Sequence, residues 1–308
     1  MSVIATSVII LFVLIFLGFF LGKGGVIRQE SIPDLSNLVI WVTLPVTVFC
    51  SIVDERGEVS FSVGMQMVLF AIVFHALAFG ITFLFVKLLR VSDKDKGVWL
   101  FTGMLTNGGF IGLPLAQAVF GSEGVFIFAV GNILTHLLIF SVGLKLLTWH
   151  YPTKQKINVR KMLVNNINIA VVLGLAFLLF HIPVPDVLDQ LLGYIANITS
   201  GMSMLVVGLS LSRMAIKEVF SDRKMYFLPV IRLLIIPLVV IVLIRVLPIS
   251  VDPVVQGDIV LLSALPAAST QSMITEQYGT NTAAASRAVF LTTLFSVVTI
   301  PLLMMFAM

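Results

Sequence analysis

Two stretches of this sequence carry polar and backbone-breaking residues where the surroundings are almost wholly apolar. The first is TNGGFIGLP, Thr106 to Pro114, and the second is SALPAASTQSMITEQYG, Ser263 to Gly279. Between them they offer amides at Asn107 and Gln271, hydroxyls at Ser269 and Thr270, glycines at Gly108 and Gly109, and prolines at Pro114 and Pro266. None of these groups is a nucleophile paired with a base, and none is a metal ligand cluster. What they can do is donate hydrogen bonds. A proline inside a helix removes a backbone hydrogen bond and clashes with the preceding turn, at about 3 kcal/mol or more. Unsatisfied backbone groups in lipid cost several kcal/mol each, so such breaks are tolerated only inside protein or beside a water-filled cavity. If the second half of each broken helix starts at its break, near Pro114 and near Pro266 to Ala268, two helix N-termini meet at mid-depth. Each carries about half a positive charge, and together they suit an anion, most simply a carboxylate.

The elements that must hold these breaks are transmembrane. The chain has 308 residues, of which 59% are hydrophobic and only 11% charged, with a mean hydropathy of +1.11. Apolar runs long enough to cross about 30 Å of hydrocarbon recur throughout. Ten spans are expected, near 2–22, 33–53, 61–86, 97–120, 124–147, 166–182, 186–212, 225–247, 255–275 and 282–307. The first has no basic leader and no Ala-x-Ala-like site, and reads as a retained helix. The single cysteine, Cys50, reads as a buried small hydrophobe.

Lys and Arg orient the spans. Fifteen lie in the connectors on one side and two, Arg56 and Arg245, on the other. Cytoplasmic loops carry the excess, so both termini are expected outside the cytoplasmic membrane. The net charge of +4 is therefore topological and does not imply a nucleic-acid partner.

The connector 149–165 divides the chain into 1–148 and 166–308, with five spans each. An odd number of spans per half makes the second an inverted repeat of the first, a transporter architecture with its site at paired broken helices. Weak internal traces agree: SIPDLSN (Ser31 to Asn37) resembles PVPDVLD (Pro183 to Asp189), and AVFGSEG (Ala118 to Gly124) resembles EQYGTNT (Glu276 to Thr282).

With TNGGFIGLPLAQAVFG in the fourth span and SALPAASTQSMITEQYG in the ninth, the chain resembles the auxin efflux carrier family over essentially its full length. That family includes bacterial malate and malonate carriers and plant auxin exporters. The resemblance implies an all-α fold like that of sodium/proton antiporters and bile-acid symporters, with discontinuous helices crossing at their prolines. It also implies a mobile domain of spans 3–5 and 8–10, a scaffold of spans 1, 2, 6 and 7, and a homodimer. Asn107 matches the family's asparagine before the fourth-span break, and Pro114 and Pro266 match the crossing prolines. The acidic and basic pair of the plant members has no counterpart in the third span, which offers His75.

Intramembrane ionisable groups are functional candidates by default. His75 and His136 are candidates for coupling or gating, as is Asn132, one turn before His136 on the same face. A neutral histidine bonded to a neighbouring helix is the plainer reading for each. Arg287 and Arg232 lie about 8–10 Å from the cytoplasmic ends of the tenth and eighth spans. Either snorkels to the interface or attracts an anion. Asp189 and Asp258 are expected near outer ends. The lack of a midplane carboxylate points toward a uniporter or a carrier weakly coupled to H+ or Na+, with no cofactor.

The expected function is secondary transport of a small organic anion by an elevator-like motion. Two readings stand beside it: a carrier for a bulkier amphipathic acid, and a membrane anion sensor. No HExxH, Gly-x-Ser-x-Gly or paired midplane acids are present, so an enzyme is not expected.

Overall fold

The computed structural model describes residues 3–54, 61–151, 166–213, 223–246 and 251–307. Among these residues the chain is helical with no strands; the only β-type pairing is an isolated bridge. Most of the connector 149–165 lies outside the described residues, as do Arg56 and Lys217 of the charge pattern.

Six helices among the described residues are long and apolar enough to cross a membrane: Gln29–Val53, Ser62–Leu88, Gly108–Thr148, Asp186–Ser212, Lys224–Val246 and Thr282–Met305. Ile9–Lys23, Asn166–Leu178 and Pro253–Ala264 are shorter apolar helices. Ten helices of that length are not found among the described residues. The fourth and ninth segments are broken into pieces, and the run from Gly108 to Thr148 is two helices joined across Gly121. At φ 68° and ψ −154°, Gly121 occupies a region that residues with a Cβ scarcely enter.

The prolines act differently from the sequence expectation. Of the four π-turns among the described residues, three, Val39–Thr43, Gly108–Gly112 and Ile231–Ile235, are followed at the second residue by proline, Pro45, Pro114 and Pro237, while Ile139–Gly143 is not. Proline has no N–H to donate, and its ring crowds the carbonyl four residues back. A wider turn just upstream accommodates that defect without ending the helix. Pro114 thus sits inside a continuing helix, whereas Pro266 lies in a true interruption between Ala264 and Thr270.

The chain forms two compact units. The first comprises Met1–Met67, Gly109–Gly131 and Leu163–Met214. Here Val3–Lys23 packs along Asp186–Ser212 through small residues: Gly18 faces the backbone of Leu205, Gly208 that of Ile15, and Gly22 the Ser212 hydroxyl. Small residues permit such close approach where no hydrophobic effect drives helices together in lipid. Thr47 donates to Thr199 at 2.8 Å, and Phe49 meets Phe177 edge-on at 5.2 Å.

The second unit comprises Val68–Gly108, Asn132–Met162 and Ala215–Met308. Its core holds Phe74, Trp99, Phe101, Leu105, Leu261 and Leu291, all buried. Gly97 lies against the Leu146 carbonyl, and Gly143 against Phe101 and Leu105. This unit contains both interruptions.

Candidate functional site

The half-helices Asp93–Met104 and Pro253–Ala264 end at Leu105 and Leu265, both extended, and the following residues meet. Thr106 and Ala267 form an antiparallel bridge. The Asn107 N–H donates to the Pro266 carbonyl at 2.9 Å, and the Ala268 N–H to the Leu105 carbonyl at 3.2 Å. The Ala267 N–H goes to the Thr292 hydroxyl at 3.1 Å. Each break thus satisfies backbone groups that the other leaves exposed, which is how non-helical chain survives at such depth.

Asn107 is buried and its Nδ2 donates to Ser269 Oγ at 2.9 Å. These two bonded residues immediately precede helix starts at Gly108 and Thr270, so two positive helix ends adjoin. Thr102 donates to Gln271 Oε1 at 2.8 Å, leaving Gln271 Nε2 buried with no partner. The hydroxyls of Thr106 and Thr270 are likewise buried without a partner, and so are both amide atoms of Asn132. Asn132 is 1% exposed, and its amide lies where a Cβ on Gly108 would be. An unmet buried polar atom costs about 1–3 kcal/mol. Several at one junction make a place where a small polar molecule can be bound by amide and hydroxyl donors.

The other expected residues fall as follows. Gly109 and Pro114 belong to the first unit, and the ordinary neighbour of a Cβ on Gly109 is Ile167. His75 is buried, with Nδ1 at 2.6 Å from the Ala71 carbonyl and Nε2 at 3.1 Å from the Thr135 hydroxyl. A carbonyl can only accept, so Nδ1 carries a proton, and both nitrogens are engaged within the helix packing. His136 is half-buried, and its Nδ1 has no partner. Arg287 is half-buried near the start of Thr282–Ala307, with no hydrogen bond or ion pair among the described residues.

Two residues at the junction were not singled out from sequence. Thr102 and Thr292 are unremarkable threonines in apolar runs. Arg232, expected either to snorkel or to attract an anion, is 0% exposed and does not snorkel. Its Nη1 donates to the Ser263 carbonyl at 2.8 Å and Nη2 reaches the Leu262 carbonyl at 3.4 Å, while the guanidinium lies 5.6 Å from the Phe74 ring centroid. The usable signal was Pro237, which places Arg232 in a π-turn. Asp258, expected near an interface, is fully buried, because Pro253–Ala264 is covered by Ile236–Val246 and Thr282–Ala307.

The chain is all-helical among the described residues, with several span-length apolar helices and two interrupted helices paired by their backbones, a pattern that transporters use. A family model described as membrane transport protein matches residues 3–155 and 153–304. The chain belongs to this family, as its resemblance to the auxin efflux carriers implied. It is 26% identical over 307 residues to an uncharacterized transporter of Methanocaldococcus jannaschii, covering 96% of each chain. It is 26% identical over 304 residues to an uncharacterized transporter of Methanothermobacter thermautotrophicus, again covering 96% of each. A Rhizobium meliloti protein named "Putative malonate transporter" is 27% identical over 315 residues, covering 97% of this chain and 94% of its own.

Proposed function

We propose that the protein is a secondary carrier of a small carboxylate, malate- or malonate-like, across the cytoplasmic membrane. The observation that carries this reading is the junction of Thr106 and Ala267. There two helix N-termini adjoin, and the Asn132 amide, the Nε2 of Gln271 and the hydroxyls of Thr106 and Thr270 are buried without partners. Those donors suit a carboxylate's lone pairs, and the helix ends suit its charge. The name of the Rhizobium meliloti relative supports the same substrate class.

The ten-span inverted repeat belongs to this reading, with both termini outside and a second copy as partner. So does an elevator-like motion, in which the unit holding the junction carries the substrate. Two facts favour the repeat. The half-helices before the breaks are both 12 residues long. Gly121 and Gly279, at the same place in AVFGSEG and EQYGTNT, both have positive φ, 68° and 63°.

The test is thermal stabilisation of the purified protein by a panel of carboxylates, since a ligand of the folded state raises its melting temperature. Malonate or malate is expected to stabilise the wild type, and Asn107→Ala to weaken that response about ten-fold, the worth of one charge-assisted hydrogen bond. A carboxylate response that Asn107→Ala leaves intact would move the site elsewhere. Stabilisation only by indole- or bile-acid-like anions would favour the carrier of bulkier acids.

A further inference from the structure

Where two broken helices cross, four helix ends meet: two positive N-termini and two negative C-termini, each of about half a unit charge. Left alone, these ends oppose one another and give little preference for either sign of ligand. Arg232 changes that balance. Its guanidinium lies on the C-terminal carbonyls of Pro253–Ala264, those of Leu262 and Ser263, and against the face of Phe74. No carboxylate pairs with it within salt-bridge distance among the described residues. Its Nε is buried without a partner. The carbonyls that Arg232 answers belong to one of the two negative ends, that of Pro253–Ala264.

We propose that Arg232 is the residue that gives the junction its preference for anions. A buried, unpaired cation is expensive, and the carbonyl ends and the aromatic face recover only part of that cost. An anion bound beside Asn132 and Gln271 supplies the remaining counter-charge. Arg232 acts as a positioning residue: it fixes the end of the broken helix through two carbonyls and leaves the two positive N-termini opposed by only one negative end. The inference rests on the carboxylate reading and deepens it by naming what sets the charge of the ligand.

The experiment compares malonate with its monoamide, which has the same shape and one charge fewer, by thermal shift on the purified full chain. The wild type is expected to prefer malonate. In Arg232→Gln that preference is expected to fall at least ten-fold, and in Arg232→Lys to persist while both ligands weaken. A purely structural role would weaken both ligands equally and leave the ratio unchanged, which would overturn the proposal. If Arg232→Gln does not fold, Arg232→Lys decides: a folded Lys variant that has lost the preference also overturns it. A wild type that binds neither ligand would instead refute the carboxylate reading itself.

Discussion

Asp93–Met104 and Pro253–Ala264 reach the junction in the same manner and leave it differently. Each is 12 residues long, and each ends in an extended leucine whose N–H still reaches back four residues, from Leu105 to Phe101 and from Leu265 to Leu261. Beyond the bridge they diverge. The first break is brief, with helix resuming at Gly108 under the influence of Pro114, two residues past its π-turn. The second stays non-helical from Leu265 to Ser269, and its partner helix Thr270–Gln277 has only eight residues. The glycines of the first break admit a neighbouring amide, that of Asn132. The second break instead draws its support from side chains on other helices, Thr292 and Arg232. The same topological need is thus met by backbone bareness on one side and by imported polar groups on the other.

That difference yields predictions in descending size. Gly108→Val would place branched carbon where the Asn132 amide now lies. We expect loss of malonate stabilisation by well over ten-fold and destabilisation of about 1–3 kcal/mol from overpacking, read by thermal shift with and without ligand. No bulk introduced at Gly109 should do the same, since the nearest atom to a Cβ there is 3.9 Å away. If Gly109→Ala proves as harmful as Gly108→Val, the bareness of the first break is not specific to Asn132.

Asn132→Leu should separate stability from binding. Removing a buried amide with neither atom partnered is expected to raise the melting temperature, by up to about 1–3 kcal/mol of stability, while weakening malonate about ten-fold. A variant that is both less stable and equally able to bind would return Asn132 to a packing role.

Thr292→Val removes the acceptor for the Ala267 N–H on the imported side of the comparison. The cost should be about 1–2 kcal/mol, with the malonate-to-monoamide ratio unchanged. Last is the pair Gly121→Ala and Gly279→Ala, where positive φ makes a Cβ unfavourable by about 1–3 kcal/mol each. Similar losses in the two, measured by denaturation, would sharpen the equivalence of the halves, and sharply unequal ones would weaken it.

Much of the architecture was legible in the apolar pattern, because lipid imposes length and continuity on every crossing segment. The break around Asn107 and the interruption near Pro266 were also legible, since glycine and proline clusters have few other reasons to lie so deep. What the pattern could not convey was how each proline is absorbed. Pro114 and Pro266 look alike in sequence, yet one is relieved by a π-turn and the other ends a helix. Arg232 and Asp258 were misplaced for a related reason: distance from a segment's end measures depth along one helix, not cover by neighbouring helices. Thr292 was invisible because a threonine bonded to its own helix, here to the Ala288 carbonyl, has the same sequence appearance as one that also serves a distant backbone.

The backbone pairing at the junction also sets a schedule for biosynthesis. Asn107 and Ser269, which touch there, are 162 positions apart. At a synthesis rate of about 5–20 residues per second, the first break waits roughly ten to thirty seconds before its partner exists. During that interval the Asn107 N–H and the Leu105 carbonyl have no native acceptor or donor, so the first half of the chain must hold that segment near water or a chaperoning surface. A ribosome stalled before the ninth segment should therefore leave a cysteine introduced at position 106 open to thiol labelling, and release of the full chain should close it.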